Sequence, residues 1–178
     1  RTGYTGELGV EIYFAVEQCV SLWQTLLKHP AVEAAGLGAR DTIRLECGLP
    51  LYGHELDEEH SALSSGVERF IRWESDFVGR AALEKQKADG VCEKMIGLQG
   101  ESRSSPRAGE ALFSDGQKVG SITSGSLGPS LGVAVAMARV RSDADGPDFY
   151  VEKGKRQLTM RKTEWPFYRQ GTARKKLN

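Results

Sequence analysis

Six short strand-like segments separated by glycine-rich turns fill the second half of the chain and constrain its fold more than any other feature. They cover 94–99, 110–114, 117–124, 133–140, 148–152 and 156–162. Asp115-Gly116, between the second and third segments, is a dipeptide favoured by type I′ hairpins, whose two central residues both need φ above zero. Gly154-Lys155 is a weaker signal of the same kind. Short strands at this spacing predict a small β-barrel or a sandwich.

Upstream of about residues 88–93 the pattern is different. Residues 7–14 alternate Leu8, Val10, Ile12 and Phe14 with Gly9, Glu11 and Tyr13, which predicts a strand. Val16, Val20, Trp23 and Leu27 form one stripe of a helix over 16–28, stopped by Pro30. A second helix is expected over 38–47, with Ile43 and Cys47 facing inward and Gly48 and Pro50 ending it. An acidic turn at Asp57–His60, a strand over 67–73 and a short helix over 79–88 with Gly90 as its stop complete the region. The class is therefore α+β, with a boundary near 90.

Composition narrows the possible functions. The chain has 178 residues, enough to bury a sizeable core, and 24 basic residues balance 24 acidic ones. No overall field draws it to nucleic acid or to a membrane surface. A basic tail of Arg169, Arg174, Lys175 and Lys176 reads as a solvated end, or more weakly as a site for an anionic ligand. No run is long and apolar enough to cross a bilayer. Cys19, Cys47 and Cys92 are odd in number and lack CxxC spacing, which argues against a disulfide framework and for reduced thiols. His54 and His60 stand six apart rather than the four of a zinc helix, so a solvated acidic turn is the better reading than a metal site. Gly36 and Gly38 do not make a dinucleotide fingerprint.

Several motifs occur in a distinctive order: Arg-Thr-Gly-Tyr-Thr-Gly-Glu at 1–7, Gly-Leu-Gly-Ala-Arg-Asp-Thr-Ile-Arg-Leu-Glu at 36–46, and Leu-Pro-Leu-Tyr-Gly at 49–53. Residues 122–132 and Trp165-Pro166-Phe167 follow. Together they resemble the tetrahydrofolate-dependent aminomethyltransferase family of the glycine cleavage system, the T-proteins. The resemblance implies a three-lobed fold with folate in a central channel. Residues 1–90 would be the later part of the folate-binding region, and 91–178 the C-terminal β-barrel. With the first motif at residue 1, the chain reads as the C-terminal part of a longer enzyme, inactive alone.

The same resemblance implies aminomethyl transfer from a lipoyl-bearing H-protein to tetrahydrofolate, giving ammonia and 5,10-methylenetetrahydrofolate. The family's catalytic Asp would lie in an N-terminal half outside this sequence, so no catalytic residue is assigned, and no metal is expected. Glu11 falls at the family's folate-binding Glu, and one carboxylate suits the paired N3–H and 2-amino donors of a pterin. Arg40 falls at a folate-contacting Arg, whose planar fork can clamp a carboxylate or carbonyl. Tyr52, and less so Tyr4, are candidates for stacking on a folate ring. Arg44 is expected to support the fold through Glu46 or Glu11. Thr172 stands near the place where some family members carry a ligand-contacting Tyr. The cytoplasm of a bacterium, or the mitochondrial matrix of a eukaryote, is the expected compartment. Rival readings are the folate-binding portion of a dimethylglycine or sarcosine dehydrogenase or a related demethylase, and a non-catalytic folate-binding module.

Overall fold

The computed structural model describes residues 3–174. Three α-helices, α1 (Cys19–Leu27), α2 (Leu37–Glu46) and α3 (Arg80–Asp89), precede six strands. The strands are β1 (Glu93–Gly100), β2 (Ala111–Ser114), β3 (Gln117–Leu127), β4 (Ala134–Arg141), β5 (Asp148–Lys153) and β6 (Arg156–Thr163). They close into an antiparallel barrel in the order β1-β4-β3-β2-β5-β6, with β6 returning to β1. All six expected strands are present, and closure rather than a sandwich removes the unpaired edges. Asp115 and Gly116 adopt φ of 49° and 75°, the double positive that the type I′ turn between β2 and β3 requires.

The barrel interior is apolar. Leu98, Leu112, Ile122, Ala136, Ala138, Phe149, Val151 and Met160 fill it, and each is almost wholly buried. In β4 these inward residues alternate with Val135 and Met137, which join Leu45, Met95 and the partly buried Leu131, Trp165 and Phe167 in a second cluster outside the barrel. One face of β4 lines the barrel and the other is roofed by α2 and the chain near 165–167. That is why Ala134 through Val140 reads as a nearly continuous buried run. Residues 122–132, one of the motifs that carry the family resemblance, divide in the structure. Ile122–Leu127 belong to β3, and the turn spans 128–133, closed by Gly128 N–H to the Val133 carbonyl at 2.8 Å.

Two expected strands are absent. Residues 9–14 take no regular secondary structure and pair with no strand among the described residues, because the alternation supplies a face to bury and no ladder to join. Residues 67–73 instead form a single 3-10 turn at Glu68–Phe70, with Ile71 N–H bonding to the Glu68 carbonyl at 2.9 Å. Their apolar positions fall at irregular intervals rather than every second residue. The expected helices are present, α1 after a 3-10 turn at Val16–Gln18, and α3 ending at Gly90 with φ 86°. Yet α1 buries no residue: Val20 and Trp23 remain 66% and 52% exposed. Among the described residues no helix is long and apolar enough to cross a membrane.

Candidate functional site

Helix α2 is the element that ties the chain's first part to the barrel, and charged side chains do the docking. Its most buried residues are Arg44, Leu45 and Glu46, whereas the sequence pointed to Ile43 and Cys47. Arg44 is fully enclosed. Its Nε donates to Asp41 Oδ1 at 2.8 Å, and Nη1 donates to Glu55 Oε2 at 2.9 Å and to the Leu49 carbonyl at 3.1 Å. Nη2 donates to Ser124 Oγ at 2.7 Å. Arg44 does support the fold, but through Glu55, Asp41 and Ser124 rather than through Glu46 or Glu11. Ser124 comes immediately after the register shift of β3 between Ile122 and Ser124, an irregularity that re-aims a side chain.

Glu46 docks separately. Its Oε1 accepts the Ser130 and Leu131 N–H groups at 2.9 and 3.1 Å, and its carbonyl accepts the Tyr168 N–H at 2.8 Å. A Cβ on Gly128 would lie 2.6 Å from that carboxylate oxygen, so the glycine makes the approach possible. Buried charges persist only when neutralised or hydrogen-bonded: Arg44 has the Glu55 carboxylate as its counter-ion, and Glu46 is held by backbone N–H groups.

Glu55 corrects the reading of residues 54–60 as a solvated turn. It is buried, and its Oε2 also accepts the Leu51 N–H at 2.9 Å. His54 Nδ1 lies 2.9 Å from the Thr123 carbonyl. Only the later part behaves as an exposed acidic turn. Asp57 Oδ1 accepts the Glu59 and His60 N–H groups, and His60 Nδ1 sits 2.7 Å from the same oxygen. The hydrogen bond from His60, with those backbone donors, holds the Asp57 carboxyl below its ordinary value. Among the described residues no group of three or more His, Cys, Asp or Glu side chains is arranged to hold a metal.

The expected site residues stand out by their exposure. Glu11 lies in the unpaired segment 9–14 and is exposed. Arg40 lies one turn before Arg44 on α2; it too is exposed, its guanidinium carbon 5.1 Å from the centroid of the Tyr4 ring. Tyr4 is half-buried. Burial pushes its phenol up, against the pull of Arg44 and Arg40. Tyr52 sits in the tight turn after α2, 67% exposed, its hydroxyl donating to Glu58 Oε1 at 3.3 Å. Arg40 is not engaged by Asp41, which bonds Arg44, or by Glu46, which bonds the β3–β4 turn. Among the described residues Glu11, Arg40 and Tyr52 share no hydrogen bond, ion pair or ring contact with one another. Lys175 and Lys176 of the basic tail lie outside the described residues, as do the side chain of Arg174 and the first two residues of the opening motif. Arg169 bonds the Pro166 carbonyl and Glu164.

Two family descriptions account for these two regions. Residues 1–75 match the GCVT N-terminal domain, and residues 94–169 match the glycine cleavage T-protein C-terminal barrel domain. The chain belongs to the glycine cleavage T-protein family. It is 42% identical over 175 residues to an aminomethyltransferase of Moorella thermoacetica, covering 95% of this chain and 48% of that protein. A Nostoc aminomethyltransferase is 46% identical over 144 residues, covering 80% of this chain and 38% of that one. The crystal structure of glycine cleavage system aminomethyltransferase T from Bartonella henselae superimposes with a TM-score of 0.86 at 31% identity, over 96% of this chain and 49% of that one. The chain spans about half the length of these T-protein relatives.

The sequence pointed to Arg44 as a support of the fold but missed its partners Glu55 and Ser124 and the separate docking of Glu46. The available signal was two charges flanking Leu45 at the apolar end of a helix, a pattern equally common on solvated helices.

Proposed function

We propose that this chain supplies part of the folate site of an aminomethyltransferase. The protein containing it would take the aminomethyl carbon from a lipoyl-bearing H-protein, release ammonia and form 5,10-methylenetetrahydrofolate. The observation that carries the reading is the pairing of a family likeness over 95% of this chain with two exposed polar groups, Glu11 and Arg40, that make no hydrogen bond or ion pair among the described residues and stand at the positions expected to meet folate. Tetrahydrofolate would supply the nitrogen that receives the carbon. Glu11 would accept the pterin's paired N–H donors, and Arg40, steadied by Tyr4, would present a donor fork to a folate carbonyl or carboxylate. Tyr52, exposed beside Glu58, is available to stack on a ring.

The division proposed is residues 1–90 as the later part of the folate-binding region and 91–178 as the barrel domain. The exposed apolar residues Val10, Ile12, Phe14, Val20 and Trp23 support a further partner, the remainder of a longer protein of the relatives' length, which would cover them and bring the catalytic Asp. The compartment proposed is the bacterial cytoplasm, or the mitochondrial matrix should the source be eukaryotic.

The test is calorimetric titration of tetrahydrofolate into the protein encoded by the complete open reading frame. Glu11→Gln replaces one of two charged acceptors, and should weaken binding by about 1.5–3 kcal/mol. Arg40→Lys keeps the charge but loses the fork, and should weaken binding while leaving the melting temperature nearly unchanged. Unchanged affinity in both variants would reject the folate assignment.

A further inference from the structure

Residues 171–173 close on residues 6–8 from the far end of the chain. The Thr172 N–H donates to Glu7 Oε2 at 3.0 Å, and the Thr172 hydroxyl donates to the same oxygen. That hydroxyl oxygen also accepts the Leu8 N–H at 2.8 Å. Next to it the Ala173 N–H donates to the Gly6 carbonyl at 3.1 Å. A hydroxyl can donate and accept at once, so a single side chain links a carboxylate to the backbone one residue later. The strap lies beyond residue 169, where the match to the family's barrel domain ends.

The strapped segment carries the neighbours of both proposed folate groups. Tyr4, which lies against the Arg40 guanidinium, is two residues before Gly6. Thr5 between them is fixed from the α2 side, its carbonyl accepting Cys47 Sγ at 3.4 Å. Glu11 is three residues after Leu8, on a stretch that joins no strand among the described residues. The nearest described tertiary anchor before Glu11 is therefore the contact with Thr172.

We propose that Thr172 is a positioning residue for the folate site, holding Gly6–Leu8 so that Tyr4 and Glu11 keep their places. This rests on the assignment of Glu11 and Arg40 to folate. Leu8 is exposed and Glu7 only half-buried, so water can replace the lost bonds with little change in stability, whereas placement of the binding groups is lost.

The experiment uses the complete reading-frame protein, with tetrahydrofolate affinity and melting temperature measured on the same samples. Thr172→Val keeps the shape and deletes the hydroxyl. The dissociation constant should rise about five- to tenfold, as expected for the loss of a hydrogen-bonded pair. Thr172→Ser should restore it, because the hydroxyl alone is what matters. Glu7→Gln reaches the same contact from the other side; it should weaken binding in the same direction, and it decides the matter should Thr172→Val fail to fold. Glu11→Gln runs alongside. If Glu11→Gln weakens binding while Thr172→Val does not, the strap is scaffold only and the inference falls alone. A lowered melting temperature with unchanged affinity, or no rescue by serine, overturns it equally. If Glu11→Gln also leaves affinity unchanged, the folate assignment has failed first.

Discussion

The barrel and the segment ahead of α2 have similar apolar patterning and opposite fates. In β1, β4 and β5 the alternating residues meet partners from neighbouring strands, and Leu98, Ala136 and Phe149 are sealed. In residues 8–27 the alternation of Leu8, Val10, Ile12 and Phe14 and the stripe of Val20, Trp23 and Leu27 are just as regular, yet these side chains stay substantially exposed. The difference teaches that a hydrophobic period specifies which face an element wants covered, not that a cover exists within the same stretch of chain. The barrel closes on itself; the first segment does not. Helix α2 stands between the two, docked by the Arg44–Glu55–Ser124 network and by Glu46 on the β3–β4 turn.

The largest expected effect is at that junction. Arg44→Met leaves the buried carboxylate of Glu55 without its cation and should cost about 3–5 kcal/mol in chemical denaturation. A loss below about 1 kcal/mol, the level of an exposed pair, would mean that α2 is not locked to the barrel by charge.

A pair of truncations sharpens the contrast directly. Leu98→Ala, inside the barrel, should cost about 2–5 kcal/mol. Trp23→Ala in this 178-residue chain should stay within about 0.5 kcal/mol, as for other exposed positions. Equal losses would break the comparison. In a protein of the relatives' length, a Trp23→Ala loss rising to the barrel's level would show that the remainder covers α1.

The smallest effect concerns the acidic turn at Asp57–His60. Asp57 has a folded-state pKa below its ordinary value of 3.8, chiefly because His60 hydrogen-bonds to it. A depressed carboxyl contributes stability that is full above that ordinary value and is lost as pH falls through the folded one. Asp57→Asn should therefore lower the melting temperature slightly near neutral pH, and the gap from the wild type should close in acid. Thermal melts across that range that keep a constant gap would rule out the linkage. The effect is small because both partners are about one-third exposed, at 30% and 33%.

The sequence by itself determined the local elements: the six barrel strands, the Asp115-Gly116 hairpin, α1, α2 and α3, and the family motifs that single out Glu11 and Arg40. Each of these rests on neighbours within a few residues, where period, turn chemistry and caps act. The strand order that closes the barrel, and the lack of a ladder for residues 9–14 among the described residues, emerged only in the folded molecule. It alone showed Arg44, Glu46 and Glu55 buried as a docking network, and Thr172 reaching Glu7. These depend on pairing across tens to more than a hundred residues. A charged side chain looks the same in sequence whether water or a distant Ser124 will solvate it, and only the folded neighbourhood tells the two apart.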